Sequence, residues 1–549
     1  MEELFFYSLG GIGDVNKSLY VYETEKDLII VDCGVGFPDT TMLGVDLLIP
    51  DISYLLTKKH KIRGIILTHA HEDHIGALPY LWGDLRAPLF ATKLTAGFIA
   101  NKFRDFSLSA PIKVINPGEK ITLGDFTVDF VRVNHSVPDA THLIINTPYG
   151  KIYHGSDFKF DLTPLDGKVS DFGKIASAGD EGILCLMSDC LRSERSGYTL
   201  SERIIEEQLD KEISLCQGKF MVTALSSDIY RWQMVINVAK KHHRKVVPVG
   251  RSVEQAIVTA RRLGYLNIEQ NTLLDSKQIK SFPAEHLCIL ISGSQGQAGS
   301  ALNRVANNDH QHVKIREGDV VVVSADPIPG NENAVHIMID ALTKLGASVS
   351  YSEVDDDLHV SGHAASQELM LLMALTKPKF LIPIGGTYRQ MKRYLKLAEA
   401  MGHKKENVFL LESGQQVIFK EQKATLGHKI ELKNVLIDGL GVGDVENIVL
   451  RDRQQMAKDG VVIVVVSIAS ATGNLTAQPE VLFRGFIHMK ESEKLINESK
   501  HLVKEAIKGH FGKILDWQFI RKKIESTLGK FFWDQTARHP MVLSVIIEV

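Results

Sequence analysis

Short apolar runs and longer amphipathic stretches alternate along the chain, and the rhythm changes twice. Up to about residue 195, strand-like runs such as DLIIV (27–31), KIRGIIL (61–67), FTVDFVRV (126–133) and GKIYH (150–154) follow one another through short loops and helices. One such helix is expected over the apolar stretch from Ile75 to Leu81. This pattern fits an αββα sandwich. From Ser201 the period lengthens. SERIIEEQLDKEIS reads as a helix, KFMVTAL as a strand, IYRWQMVINVAKKH as a helix, KVVPVG as a strand and VEQAIVTARRLGYL as a helix. HLCILIS and DVVVVSA are further strands, each running into a loop containing Gly with Ser or Pro. Alternation of this kind predicts a parallel α/β sheet, with ligands at the carboxyl ends of its strands. Around Asp355 the first pattern resumes with HVSGHAASQELMLLMALTKPKFLIPIGG, so the middle region is an insertion into the first. The last hundred or so residues form a small α/β module. VVIVVVSIA and VLFRGFIHM read as strands, KESEKLINESKHLVKEAIKGH as a charged amphipathic helix and MVLSVIIEV as a final strand. The expected division is therefore 1–200 and 356–440 for a split first domain, 201–355 for the insertion and 441–549 for the module.

Composition adds a large soluble protein with no membrane partner. At 549 residues the chain exceeds one core, and 44% hydrophobic content is that of a globular protein. No run approaches a membrane span, and MEELFFYSLGG begins acidic, unlike a secretory signal. Cysteines 33, 185, 190, 216 and 288 form no CxxC pair, so buried free thiols in a reducing cytoplasm are expected. A formal net charge of −3 argues against non-specific coating of nucleic acid, but not against a nuclease with a local basic channel. The basic run KKHHRK (240–245) reads as a solvated helix end.

The chemistry is concentrated in THAHEDHI, residues 68–75, where His69, His71, Asp73 and His74 fall between a strand and a helix. His69 and His71 share a face in extended backbone, while Asp73 and His74 point differently, as two neighbouring metals require. Asp32, His135 and Asp157 each follow a strand-like run and can reach the same sheet edge. Each alone reads as a cap or turn residue; as an ordered set they point to a metal site.

That order resembles the metallo-β-lactamase superfamily, its β-CASP branch and, within it, bacterial ribonuclease J. The resemblance runs nearly end to end, through GGIGDVNKSLYV, HSVPDATH, GSDFKFDLTP, SDCLRSERSG, GRSVEQA, ISGSQGQ, PIPGNENAV, HVSGHAA and IVLRDRQQMAKDGVVIVVVS. It implies an α/β fold: a metallo-β-lactamase αββα sandwich with an inserted β-CASP parallel α/β domain and a C-terminal α/β dimerisation domain. It implies one zinc held by His69, His71 and His135, and a second held by Asp73 and His74, with Asp157 bridging; magnesium or manganese are alternatives. Asp32 and Asp189 are expected to orient ligands rather than bind metal. Asp73, His74, Asp157 and His363 are the implied catalytic residues. His363 in SGHA matches the family's phosphate-contacting histidine, and Ser227, Arg231, Arg251, His359, Ser361 and Gly362 join it as candidate RNA contacts. The Gly-rich loop Ser292–Gly296 can present backbone N–H groups to phosphates.

Three positions depart from the family pattern. Gly385 in IPIGGT stands where the family has a zinc-binding histidine, so the second metal site is expected to be weaker. Asp228 in SDIYR stands where the family has asparagine, and is expected to oppose a 5′-phosphate. Gln297 replaces a usual glutamate. The sequence leaves three readings open. One is a zinc-dependent ribonuclease acting from the 5′ end, with or without internal cleavage, as a cytoplasmic homodimer or homotetramer or beside a paralogue. A second is a weakened paralogue serving as an RNA-binding or scaffold subunit. The third is a small-molecule metallohydrolase, for which the insertion has no purpose.

Overall fold

The computed structural model describes residues 3–269, 271–328, 330–439, 441–443, 447–469, 474–487, 492–508 and 517–549. The chain divides into two compact units, residues 1–37 with 47–435, and residues 38–46 with 436–549.

Two sheets face each other in the first unit. One is eight-stranded, in the order Lys423–Lys429, Gln415–Lys420, Leu4–Gly10, Leu19–Glu23, Leu28–Val31, Ile62–Leu67, Leu89–Ala91, Ile112–Val114. The other is six-stranded, in the order Phe380–Ile384, Cys185–Asp189, Gly150–Gly155, Thr141–Thr147, Phe126–Arg132, Lys120–Leu123. A shared core of Phe6, Tyr22, Val31, Phe130, Leu143, Tyr153 and Leu186 lies between them. Strand Leu28–Val31 is buried along its whole length and reads as an uninterrupted apolar run, beside its parallel neighbour Ile62–Leu67, which is buried from Gly64 on.

The insertion forms a separate five-stranded sheet, ordered Lys245–Val249, Leu287–Ile291, Phe220–Thr223, Val320–Val323, Ser348–Tyr351, with every pairing parallel. Helix Arg203–Leu215 leads into it, and helices Ile229–Lys241, Arg251–Leu263, Ala301–Ala306 and Glu332–Lys344 lie between its successive strands. The basic run 240–245 falls at the end of helix Ile229–Lys241, where His243 turns left-handed at φ 54° and the chain enters the next strand.

One sequence expectation needs revision near the metal loop. In place of a helix from Ile75 to Leu81 there are two, Glu72–Ile75 and Leu78–Leu85. Pro79 lacks an N–H and is tolerated only in a first turn, so the helix restarts just before it.

In the second unit, strand Val461–Ile468 pairs antiparallel with Glu480–Arg484 and parallel with Met541–Glu548. Its alternate residues Val462, Val464, Val466 and Ile468 are buried against helices Ser492–Ile507 and Trp517–Thr536. The second of these helices was not foreseen. Ile520, Ile524, Leu528 and Phe532 give it a buried stripe, but flanking aromatic residues blur that stripe in the sequence. The ends of the expected strand 481–489 and helix 490–510, and Pro329 of the PIPGNENAV segment, lie outside the described residues. All five cysteines are buried free thiols. Among the described residues no helix is long and apolar enough to cross a membrane.

Candidate metal centre and nucleic-acid cavity

The metal loop is fastened to the end of strand Leu28–Val31. Cys33 N–H donates to the His74 carbonyl (2.7 Å) and Val35 N–H to the Glu72 carbonyl (3.1 Å). Gly34 permits this approach, since a β-carbon there would lie 1.5 Å from the Asp73 carbonyl oxygen. The loop therefore presents its side chains inward from a fixed backbone.

His69, His71, His135 and Asp157 offer ligand atoms within 4.8 Å of one another, as do Asp73, His74 and Asp157. His71 Nδ1 lies 3.1 Å from His69 Nε2 and 3.0 Å from His135 Nε2. Tetrahedral zinc with Zn–N bonds of about 2.0–2.1 Å sets its nitrogens about 3.3 Å apart, so these three nitrogens are close to ligand spacing. The opposite ring nitrogens are engaged elsewhere. His69 Nδ1 faces the Thr68 hydroxyl (3.0 Å), His135 Nδ1–H donates to the Gly362 carbonyl (2.7 Å), and His71 Nε2 faces Ser136 Oγ (3.2 Å). Partners of this kind fix the tautomer that leaves a lone pair for metal. Burial and the neighbouring imidazoles hold His69 and His135 well below the usual histidine range, and burial brings His71 down to about 4. Neutral imidazole is the form a metal takes.

Asp157 Oδ2 is the hub, 3.3 Å from His74 Nε2, 3.7 Å from His69 Nε2, 3.8 Å from His135 Nε2 and 3.9 Å from His363 Nε2. Asp32 Oδ2 meets His74 Nδ1 at 2.7 Å, and both its oxygens also accept from Thr68. Burial opposes a proton on His74, but Asp157, Asp73 and Asp32 outweigh it and hold the ring well above its ordinary range. Three carboxylates around one imidazole are an environment that calls for positive charge, and the donor set fits divalent metal in both groups.

The hydrogen bonds of Asp189 go to groups outside the histidine triad. Its Oδ2 meets His363 Nδ1 at 2.8 Å and its Oδ1 accepts from Leu191 N–H. Burial alone would lower His363, but Asp189 and Asp157 overcome it and bring the ring up to about 9. Gly385, at φ +64°, follows the neighbouring strand. A β-carbon there would lie 3.7 Å from Asp189 Oδ1 and 3.9 Å from Asp157 Oδ1, so the position faces the cluster and supplies no donor. Ser361 and Gly362 belong to the same site: Ser361 Oγ accepts from His363 N–H, and Gly362 lies so close to the His135 ring that a β-carbon would be 2.7 Å away.

The other RNA candidates lie outside the cluster itself. Ser227 and Arg251 line a cavity of about 820 Å³ with Ser226, Gly250, Ser252, Ser292–Gln295, Lys102 and Arg304. Its walls include loops at the carboxyl ends of the parallel strands, the position expected of a ligand site. Arg251 is largely exposed and pairs with Asp105 at 2.7 Å. His359 is set against Asp326, its Nε2 3.7 Å from the carboxylate. Two residues require correction. Arg231 is completely buried and bonded within the protein, so it cannot touch RNA as placed. Asp228 is also buried. It caps helix Ile229–Lys241 by accepting from Arg231 N–H (3.0 Å) and is absent from the cavity wall, so it does not confront a phosphate there. Sequence reasoning missed Thr68, whose hydroxyl joins Asp32 to His69. A threonine before a histidine carries no signal of that role until the strands are paired.

Four family models match in order: metallo-β-lactamase superfamily over residues 12–186, ribonuclease J β-CASP domain over 217–342, Zn-dependent metallo-hydrolase RNA specificity domain over 351–411, and ribonuclease J C-terminal domain over 448–549. Ribonuclease J2 of Bacillus subtilis (strain 168) is 37% identical, covering 100% of this chain and 99% of its own length. The chain belongs to the ribonuclease J family. Another member, ribonuclease J of Thermus thermophilus, is 39% identical over 98% of this chain and 94% of its own. A solved structure of a protein of unknown function from Enterococcus faecalis V583 shares the fold, with a TM-score of 0.52 and 15% identity over 76% of this chain and all of that one. The fold class is thus a metallo-β-lactamase domain with β-CASP and ribonuclease J C-terminal domains.

Proposed function

We propose that this chain is a metal-dependent ribonuclease that hydrolyses RNA phosphodiester bonds at the histidine–aspartate cluster, using zinc, and that it works from the 5′ end. The observation that carries the reading is the meeting of His69, His71, His135, Asp73 and His74 around Asp157, in a chain of this family. A weakened subunit is not favoured, since the six residues assigned as primary ligands are all present and grouped.

His69, His71 and His135 would hold one metal and Asp73 and His74 the other, with Asp157 between. When bound, such ions supply an activated water at neutral pH and stabilise charge on the oxygens of an in-line phosphoryl displacement. The chain's own residues do the rest. Asp32 and the Gly362 carbonyl hold His74 and His135 in their ligating tautomers. Asp189 orients His363 so that Nε2 points toward Asp157, where an N–H can donate to a phosphate oxygen. Ser227, Arg251 and the Ser292–Gln295 loop supply hydroxyls, a cation and backbone N–H groups for nucleotides in the 820 Å³ cavity. Gly385 leaves the second metal with fewer protein donors and hence weaker binding.

The same reading divides the chain into a metallo-β-lactamase domain (1–200 and 356–440), a β-CASP domain (201–355) and a C-terminal dimerisation domain (441–549). It places the protein in the cytoplasm, as a homodimer or homotetramer or with a paralogue. Exposed Leu543, Val545 and Ile547, alternating along one strand, support self-association through the last domain. The test is purified protein on 5′-labelled RNA ending in a monophosphate or a triphosphate, with metal analysis alongside. Metal-dependent release of nucleotides from the monophosphorylated end is expected; metal-independent or absent cleavage overturns the reading.

A further inference from the structure

Among the described residues Arg231 is the largest fully buried charged side chain, and the chemistry above does not use it. Its Nη1 donates to the Ser324 carbonyl (2.7 Å), to the Ser324 hydroxyl and to the Leu358 carbonyl (3.4 Å); its Nη2 donates to Glu202 Oε2 (2.9 Å). Glu202 Oε1 accepts from Lys159 Nζ (3.0 Å). Lys159 N–H donates to the carbonyl of Asn134 (2.8 Å), the residue before His135, and Lys159 itself stands two residues after Asp157. Four residues beyond Leu358, the Gly362 carbonyl accepts from His135 Nδ1–H (2.7 Å).

These bonds close a ring. It runs from the His135 loop through Lys159, Glu202 and Arg231 to Leu358, then along the chain to Gly362 and back to His135. Glu202 and Leu358 lie where the chain enters and leaves the inserted five-stranded region, so Arg231 ties both crossings to one point of that region. Ser324 Oγ adds a bond of its own to the Leu358 carbonyl (2.5 Å). Holding a guanidinium and carboxylates out of water is costly, and apolar side chains of similar volume often give equal or greater stability. Arg231 Nε has no hydrogen-bond partner among the described residues. The group is therefore held for where its two terminal nitrogens reach.

We propose that Arg231 is a positioning residue for the reaction: it fixes the Leu358–His363 segment and so sets both the Gly362 hold on His135 and the placement of His363 at the metal cluster. This rests on the ribonuclease reading for its catalytic consequence. Its geometric consequence, the orientation of a metal-binding histidine, can be read without activity. The cavity residue Ser227 precedes Asp228, which caps the helix that carries Arg231.

Arg231→Lys in the full chain is the test. A lysine keeps the charge opposite Glu202 and Asp228, but one ammonium cannot reach Glu202, Ser324 and Leu358 in the fork geometry of a guanidinium. Zinc affinity, measured by chelator competition, should fall about tenfold, the scale typical of losing a partner behind a ligand. At saturating zinc, which offsets the His135 route, single-turnover RNA cleavage should fall about tenfold in the parent and less than twofold in a His363→Ala background, because the remaining effect runs through His363. Affinity for a 5′-phosphorylated oligonucleotide in metal-free buffer should stay within about twofold, since Arg231 is buried away from solvent. Unchanged zinc affinity with equal losses in both backgrounds would make Arg231 merely structural. A fall in oligonucleotide affinity alone would make it an RNA contact. Should Arg231→Lys fail to fold, the double variant Arg231→Met with Glu202→Met removes both charges together, and the same readouts apply. A parent that cleaves no RNA defeats the ribonuclease reading, while the zinc measurement still decides this proposal.

Discussion

Asp32 Oδ2 and His74 Nδ1 meet at 2.7 Å, which leaves His74 Nε2 facing Asp157 and Asp73. Asp32 is thus placed to act on a metal through the far side of an imidazole. Asp32→Ala should lower affinity for the more weakly held metal by about 10–100-fold while the His69–His71–His135 set keeps its ion. Chelator titration of parent and variant checks it. An unchanged second affinity would show that His74 needs no such partner.

The two metal groups differ in protein donors. Three imidazoles share Asp157 in one, whereas Asp73 and His74 share it in the other beside Gly385. Mild chelation followed by elemental analysis should leave nearer one metal than two per chain. Two equally resistant metals would mean that another group completes the second site.

Asp228 gives a pH signature. Burial pushes its carboxyl up, against the pull of Arg231, to about 7. A carboxyl raised on folding stabilises the native state below its unfolded value, and that stability is lost as pH rises through the folded value. Asp228→Asn should therefore gain stability relative to the parent between about pH 4 and pH 7, by denaturant melts at each pH. Because Asp228 is absent from the cavity wall, the variant should leave the rate ratio between monophosphorylated and hydroxyl-ended RNA unchanged. A ratio that rises several-fold would place the carboxylate at the phosphate after all.

The C-terminal unit exposes Leu543, Val545 and Ile547 along one strand. A chain ending at Val435 should remain folded and lose mass by light scattering, from an oligomer toward a monomer. An unchanged oligomer would place self-association elsewhere.

Much of this was legible because it is local or periodic. The ligand spacing from His69 to His74 lies within one loop, Leu28–Val31 is a continuous buried apolar run, and Val461–Ile468 is buried at every second residue. What escaped depends on where a side chain turns after packing. Arg231 falls in an expected helix and Asp228 just before it, but the pattern does not show that both side chains turn inward, where Glu202 receives the guanidinium across 29 positions. Thr68 acquires its partner only when the strands ending at Val31 and Leu67 lie side by side. The break around Gly76 and Ala77 was hidden because the apolar pattern continues through it, and Pro79 decides where the helix restarts.

The most direct measurement is cleavage of 5′-labelled RNA by the parent and by the Asp73→Ala, His74→Ala double variant, with zinc, manganese or magnesium supplied. The account predicts metal-dependent cleavage by the parent and a loss of at least about a thousandfold in the variant, with its circular dichroism unchanged. Cleavage at the parent rate by a clean double variant, or none by the parent with any of the three metals, would contradict it.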